Sequence, residues 1–198
     1  NITNGKIPYR KPWVWFIHNP QNAPEWFDKH NSPQAILMRD ETLESLKTCK
    51  ALICLSQYHE RWLKEYLKDY DIHIFSVLHP TEIPQNRWSF QKYLNNRDKK
   101  VVQIGFWLRK LNSIRFLETH REKVWLPGQE YAKTIMDVEA KIIIGNWYTD
   151  PSHVRTKEQE ITIPDHLSNS DYDKLLSENI AFVDLYYSSA NNAVIECI

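Results

Sequence analysis

The chain has 198 residues, room for one large domain or two small ones, with 25 Lys and Arg against 25 Asp and Glu. A zero net charge argues against a general nucleic-acid binder, which carries a basic excess. No apolar run approaches the ~20 residues that span a bilayer, and the opening "NITNGKIPYRK" lacks the apolar stretch of a secretory leader. "KPWVWFIHNP" then predicts a strand over 12–18, ended at His18 by Asn19-Pro20. Trp13 and Trp15 share one face of it and read as core, whereas Trp26 sits in a loop with aromatic anchors, where it could also stack on a sugar. "DETLESLKTCK" predicts a helix capped by Asp40. "ALICLS" is a short continuous apolar run, the pattern of a strand buried on both faces. Ser56 caps the next helix, "QYHERWLKEYLKDY", with Tyr58, Trp62, Leu63, Tyr66 and Leu67 on one stripe. "IHIFSVLHP" closes a strand–helix–strand unit at Pro80, which implies a parallel sheet.

The polar stretch from Thr81 reads as a connection, with a short helix at Trp88–Leu94. "KKVVQIGF" predicts a strand ending at Gly105, and "WLRKLNSIRFLETH" a loop entering a helix. "AKIIIGNW" reads as a strand, and "VRTKEQEITIP" as carrying a short edge strand. "SNSDYDKLLSEN" is a helix opened by a capping box from Ser170 to Asp173. "IAFVDLYY" reads as a buried strand, followed by the "SSANN" turn and a helix from Asn191. The pattern is therefore α/β, in two halves: 1–84, a connection at 85–97, and 98–198. A helix that has hardly begun at Ile198 makes the chain read as a piece of something longer. Cys49, Cys54 and Cys197 sit in apolar segments and no Cys-x-x-Cys occurs, so they read as buried reduced thiols of a cytoplasmic protein.

Neither a dinucleotide fingerprint nor a P-loop occurs among the four glycines. In open α/β sheets ligands bind beyond the carboxyl ends of the strands. The residues expected there are His18, Ser56, His79, Gly105 with Arg109 and Lys110, and the Ser188–Asn192 turn. An Arg-Lys pair is by itself an ordinary solvated loop, but after a strand, a glycine and before a helix it suits a diphosphate. Ser189, Asn191 and Asn192 offer N–H groups and small polar side chains to an anion, or serve as an N-cap. Glu196, one turn into the last helix, can accept two ribose hydroxyls or stand as a dipole-favoured surface acid. His18 can donate to a sugar or leaving group, or fill a structural place.

In this order, "CKALICLSQYHERWLKEYL", "IHIFSVLHPTE", "KKVVQIGFWLRKLNSI" and "DYDKLLSENIAFVDLYYSSANNAVIECI" resemble the segments of a GT-B glycosyltransferase that uses nucleotide-sugar donors. The resemblance covers the chain outside 110–160. It implies two Rossmann-like domains with parallel sheets, incomplete at both ends: 1–84 from the acceptor side, 85–97 a linker, and 98–198 from the donor side. It implies transfer of a sugar from a nucleotide-diphosphate donor to a glycan or other acceptor, without cofactor. Arg109 and Lys110 would hold the diphosphate. Gly105, Ser189, Asn191, Asn192 and Glu196 would meet the nucleotide and sugar, and His18 would act as the catalytic residue. No Asp-x-Asp is read in a loop, so no metal is expected. The partners expected are nucleotide sugar and glycan acceptor and no nucleic acid, with peripheral membrane association left open. This sequence departs from the family in four respects: Glu196 matches the second glutamate of an E-x(7)-E pair but Ser188 stands in place of the first, the cation spacing after Gly105 is tighter than usual, the Gly-rich first loop of the acceptor side is absent, and so is the small-Gly-Pro segment expected after Glu196. The lost glutamate supports the alternative of a non-catalytic glycan-binding or structural protein on a degenerate transferase fold.

Overall fold

The computed structural model describes residues 7–24, 29–80, 88–128, 132–147, 160–165, 167–188, 191 and 194–195. The chain forms two compact units, Asn1–Pro80 with Tyr186–Asn191, and Thr81–Leu185 with Asn192–Ile198.

In the first unit, Trp13–Ile17 (β1), Cys49–Cys54 (β2) and His73–Ser76 (β3) make a parallel sheet in the order β1-β2-β3. Trp15 pairs with Leu52 and Leu52 with Ile74, while Phe16 pairs with Ile53 and Ile53 with Phe75. Side chains alternate along a strand, so this register decides which residues go inside. Ile17, Leu52, Cys54 and Ile74 lie on the covered face and are buried; Val14, Phe16 and Phe75 lie on the other and are exposed. Trp13 and Trp15 pack on the covered side, as their shared face predicts, and the Trp13 indole donates to the Ser45 carbonyl at 2.8 Å. Cys49 and Cys54 are free and buried, and burial pushes both thiols up.

Three helices cover that face: Pro33–Leu37 (α1), Asp40–Leu46 (α2) and Gln57–Tyr66 (α3). The α3 cap is the predicted one, Ser56 Oγ accepting from the His59 N–H at 3.3 Å. Its buried row is His59, Leu63 and Leu67, four residues apart, each leucine contributing ~1.5–3 kcal/mol on burial. Tyr58 and Tyr66, expected in the buried stripe, lie on the neighbouring row and are exposed; Tyr66 stacks on Trp62 at 4.9 Å. The α2 helix is shorter than expected. Its N-cap is Arg39, with Asp40 already in the first turn, and β2 takes over at Cys49. The chain leaves α2 there as Thr48 Oγ1 donates to the Tyr9 carbonyl at 2.8 Å, tying it to the segment that leads into β1. At the far end of β3, Glu60 accepts from the Ser76 N–H at 2.9 Å and from Lys64 at 2.7 Å. The Lys64 ammonium, then Ser76, hold its carboxyl down to about 2.

In the second unit, Phe90–Asn95 (α4) precedes Val101–Ile104 (β4), a one-turn helix Ser113–Phe116 (α5), Lys123–Leu126 (β5) and Ala132–Trp147 (α6). Ile161–Thr162 (β6), Asn169–Glu178 (α7) and Ile180–Phe182 (β7) follow. The sheet is parallel, in the order β6-β5-β4-β7. The apolar runs "KKVVQIGF" and "IAFVDLYY" lie side by side as parallel strands: Val102 pairs with Ala181. Ile161–Thr162 is an edge strand, as expected.

Three readings need correction. "AKIIIGNW" is the second half of α6, a helix of 16 residues, and not a strand. A short apolar run does not distinguish the two; Ala132, Met136 and Glu139, all buried, carry the helical i, i+4, i+7 spacing upstream of it. The capping box is Ser168 with Asp171, not Ser170 with Asp173: Ser168 Oγ accepts from the Asp171 N–H at 3.2 Å and donates to its carboxylate at 2.7 Å. "SNSDYD" contains two overlapping Ser-x-x-Asp quartets, and the helix starts at the earlier. Finally, "IAFVDLYY" contributes only three residues to β7, and Ala181 is exposed because this strand pairs on one side alone among the described strands.

Burial holds the His59 imidazole neutral in the fold, with its pKa lowered from 6.5 to about 4. Between those values the unfolded chain binds the extra proton, so stability is full above pH 6.5 and is lost as pH falls toward 4. Chemical denaturation from pH 7.5 to 4.5 is expected to show a fall approaching ~3 kcal/mol, and His59→Leu is expected to flatten it.

Candidate functional site

The residues from Gly105 to Asn112 leave the carboxyl end of β4 as a tightly held loop. Gly105 has φ +70°, a conformation glycine adopts without strain. Its N–H donates to the Leu126 carbonyl at 2.7 Å, and its carbonyl accepts from the Trp125 indole at 2.9 Å. Trp125 is fully buried, so the loop starts from a fixed point. The other end is fixed from beneath. The Glu139 carboxylate, buried on α6, accepts from the Asn112 backbone at 2.7 Å and from its amide side chain at 2.8 Å. The same amide reaches the Met136 carbonyl at 2.9 Å. Leu108, at φ +54°, and Leu111 are buried between these anchors.

This leaves Arg109 and Lys110 half-buried on the loop. The Arg109 guanidinium lies over Gly105: a Cβ there would stand 3.1 Å from its Cζ. It also donates to the Trp107 carbonyl at 2.6 Å. The Lys110 ammonium is 3.2 Å from Asp184 Oδ1, and its backbone N–H donates to the Asp184 carbonyl at 2.9 Å. Ser113 Oγ donates to the other Asp184 oxygen at 2.6 Å, and Arg109 bridges Leu185. The loop after β4 and the chain after β7 are thus sewn together at adjacent strand ends. Asp184 was missed in the sequence reading; a lone carboxylate inside the apolar run "IAFVDLYY" was the signal. Glu139 gave no signal beyond its place in the helical row.

The helix expected to add its dipole to the two cations is the single turn α5, too short to contribute much. The remaining candidates fall elsewhere. His18 is exposed at the end of β1, on the rim of a pocket of about 210 Å³ walled by Trp15, Phe16, Pro33 and Ile36. Beside it Asn19 donates to the Asn31 carbonyl at 2.9 Å. Ser56 is engaged as the α3 cap, and His79 is half-buried. Asn191 is half-buried and belongs with His18 to the first unit, whereas Gly105, Arg109 and Lys110 belong to the second. Ser189, Asn192, Glu196, Cys197 and Trp26 lie outside the described residues. A larger pocket, about 380 Å³, lies between α7 and the β5–β6 side, lined by Val124, Thr162, Leu175 and Asn179 among others, and holds none of the candidates.

The expectation that no Asp-x-Asp stands in a loop is also corrected. Helix α3 ends at Tyr66, four residues earlier than read, which leaves Asp69-Tyr70-Asp71 in the turn that follows. Among the described residues, no group of three or more His, Cys, Asp or Glu could hold a metal ion. Among the same residues, no helix is long and apolar enough to cross a membrane.

No protein-family model matches the chain, and no curated protein matches it. Two solved structures are similar. One is an alpha,alpha-trehalose-phosphate synthase (UDP-forming) from Burkholderia vietnamiensis, with a TM-score of 0.54 and 10% identity over 95% of this chain and 51% of that one. The other is the trehalose-6-phosphate synthase OtsA, with a TM-score of 0.54 and 13% identity over 93% of this chain and 48% of that one. The likeness is one of fold: an α/β architecture with parallel sheets, as expected for GT-B, over about half the length of those structures.

Glu139→Ala is expected to destabilise the second unit by ~2–4 kcal/mol in chemical denaturation, because it strands two buried Asn112 donors. Gly105→Ala is expected to cost ~1–2 kcal/mol by the same measurement, since a side chain at positive φ is strained and its Cβ presses on Arg109.

Proposed function

We propose that the chain is part of a glycosyltransferase that moves a sugar from a nucleotide-diphosphate donor to a glycan or other acceptor. The observation that carries this reading is the Gly105–Asn112 loop. It holds two cations at the carboxyl end of a central parallel strand, where α/β sheets bind ligands. The similarity in fold to two trehalose-phosphate synthases supports it.

In this reading 98–198 is the donor side, 1–84 the acceptor side and 85–97 the linker. Arg109 and Lys110 meet the charge that builds on the leaving diphosphate, so catalysis is electrostatic and needs no metal. Gly105 leaves room for the Arg109 guanidinium. Ser189, Asn191 and Asn192 bind the phosphate or sugar, Glu196 holds the donor ribose, and His18 contacts the sugar or the acceptor. A second reading, a non-catalytic glycan-binding or structural protein on the same fold, is favoured by Ser188 in place of a glutamate.

Calorimetric titration with a panel of nucleoside diphosphates separates the two. The transferase reading expects binding that persists in a chelator. It expects Arg109→Ala and Glu196→Gln each to weaken that binding at least about tenfold, or ~1.4 kcal/mol, with the fold intact by circular dichroism. No binding to any nucleoside diphosphate would leave the second reading standing.

A further inference from the structure

A carboxylate stands beside the two cations of the Gly105–Asn112 loop, and the function proposed above leaves it without a role. Asp184 lies two residues past β7, a charge inside the apolar run "IAFVDLYY". Three ties fix its place. Its backbone carbonyl accepts from the Lys110 N–H at 2.9 Å, the next residue, Leu185, bridges Arg109, and Ser113 Oγ donates to Oδ2 at 2.6 Å. None of the three uses the Lys110 ammonium. That ammonium meets the other carboxylate oxygen, Oδ1, at 3.2 Å.

The carboxylate is therefore the fixed partner and the lysine the movable one. Lys110 carries its charge on a flexible four-carbon stem, whose head can turn from one acceptor to another. Asp184 is short, and its second oxygen is held by Ser113. Fixing this place does not call for an acid. Asparagine at 184 would keep both backbone ties, and its amide oxygen would accept from Ser113 as the carboxylate does. What the acid adds is negative charge, 3.2 Å from a cation that a diphosphate would take.

That charge acts on an anion in two ways. A phosphate oxygen reaching Lys110 competes with Asp184 for the same ammonium, and it does so in the field of a carboxylate that stays in place. We propose, on the reading of this loop as a diphosphate site, that Asp184 is a positioning residue that competes with the diphosphate for Lys110 and limits the affinity of the loop for it. A nucleoside diphosphate is thereby held less tightly than Arg109 and Lys110 alone would hold it.

Calorimetric titration of the 198-residue chain and its Asp184 variants with UDP, GDP and ADP tests this. Asp184→Asn keeps an acceptor for Ser113 and removes the charge. It is expected to bind the nucleoside diphosphate about three- to fivefold more tightly than the unaltered chain, a gain that shrinks in high salt. Asp184→Glu keeps the charge and is expected to stay within about twofold of the unaltered chain. In the Lys110→Met background the gain from Asp184→Asn is expected to be lost, because the ammonium under competition is gone. A merely structural Asp184 predicts the opposite sign, since a loosened loop binds more weakly. Circular dichroism and melting show whether each variant keeps the fold. Where Asp184→Asn does not, Asp184→Ala with Ser113→Ala removes the charge together with its hydrogen-bond partner and is expected to show the same gain. Binding by the unaltered chain that Asp184→Asn leaves unchanged or weakens, or a gain undiminished by Lys110→Met, overturns the proposal and leaves the diphosphate reading standing. Absence of binding to all three ligands by every chain overturns both.

Discussion

A carboxylate without solvent organises the second unit. Glu139 is fully buried on α6, and its oxygen takes both the backbone and the side-chain N–H of Asn112. Buried polar groups that lose a hydrogen bond cannot turn to water instead, so the bonds between Glu139 and Asn112 are costly to break in the folded unit. They fix where the chain after β4 comes down. Trp125, buried and bonded to the Gly105 carbonyl, fixes where it sets out. Between two such points eight residues have little freedom, and the two positive-φ residues, Gly105 and Leu108, mark the turns needed to fit them. The position of Arg109 and Lys110 is thus set from beneath the loop, by Trp125 and Glu139. Short loops held in this way by rigid elements are common at strand ends of α/β folds.

The parallel sheets were legible because their cause is local. "ALICLS" and "KKVVQIGF" are apolar runs bounded by caps and breakers, and a right-handed crossover leaves few places for the next strand. The Ser56 cap and the pairing of Val102 with Ala181 follow from that. What was not legible has a tertiary cause. Tyr58 and His59 are adjacent in sequence, and which of the two is buried depends on how α3 rotates over β2 and β3. The apolar half of α6 suits strand or helix equally, and its helical state shows only when Ala132 and Met136 are included in the window. Asp184 and Glu139 act through partners 71 and 27 residues away, at Ser113 and Asn112, which no local pattern encodes.

The candidate site divides along the same line. Gly105, Arg109 and Lys110 were found as a group because they are consecutive after one strand, and the structure keeps them on one loop. His18 and Asn191 were grouped with them only by analogy of position at strand ends, and they belong to the other unit. Position at a strand end is a statement about one sheet. It cannot by itself assemble a site from two.

The Lys110–Asp184 contact bears on whether that loop can receive a phosphate at all. Both side chains remain substantially exposed, at 43% and 34%, and a pair in such a setting is worth ~0–1 kcal/mol. A hydrogen bond from an ammonium to a phosphate oxygen is charge-assisted and worth ~1.5–3 kcal/mol, so a diphosphate could draw the lysine away at modest cost. Asp184 would not be left stranded, because Ser113 Oγ still donates to its other oxygen at 2.6 Å. The pair therefore does not close the loop to an anion. It gives Lys110 a resting position beside the strand ends.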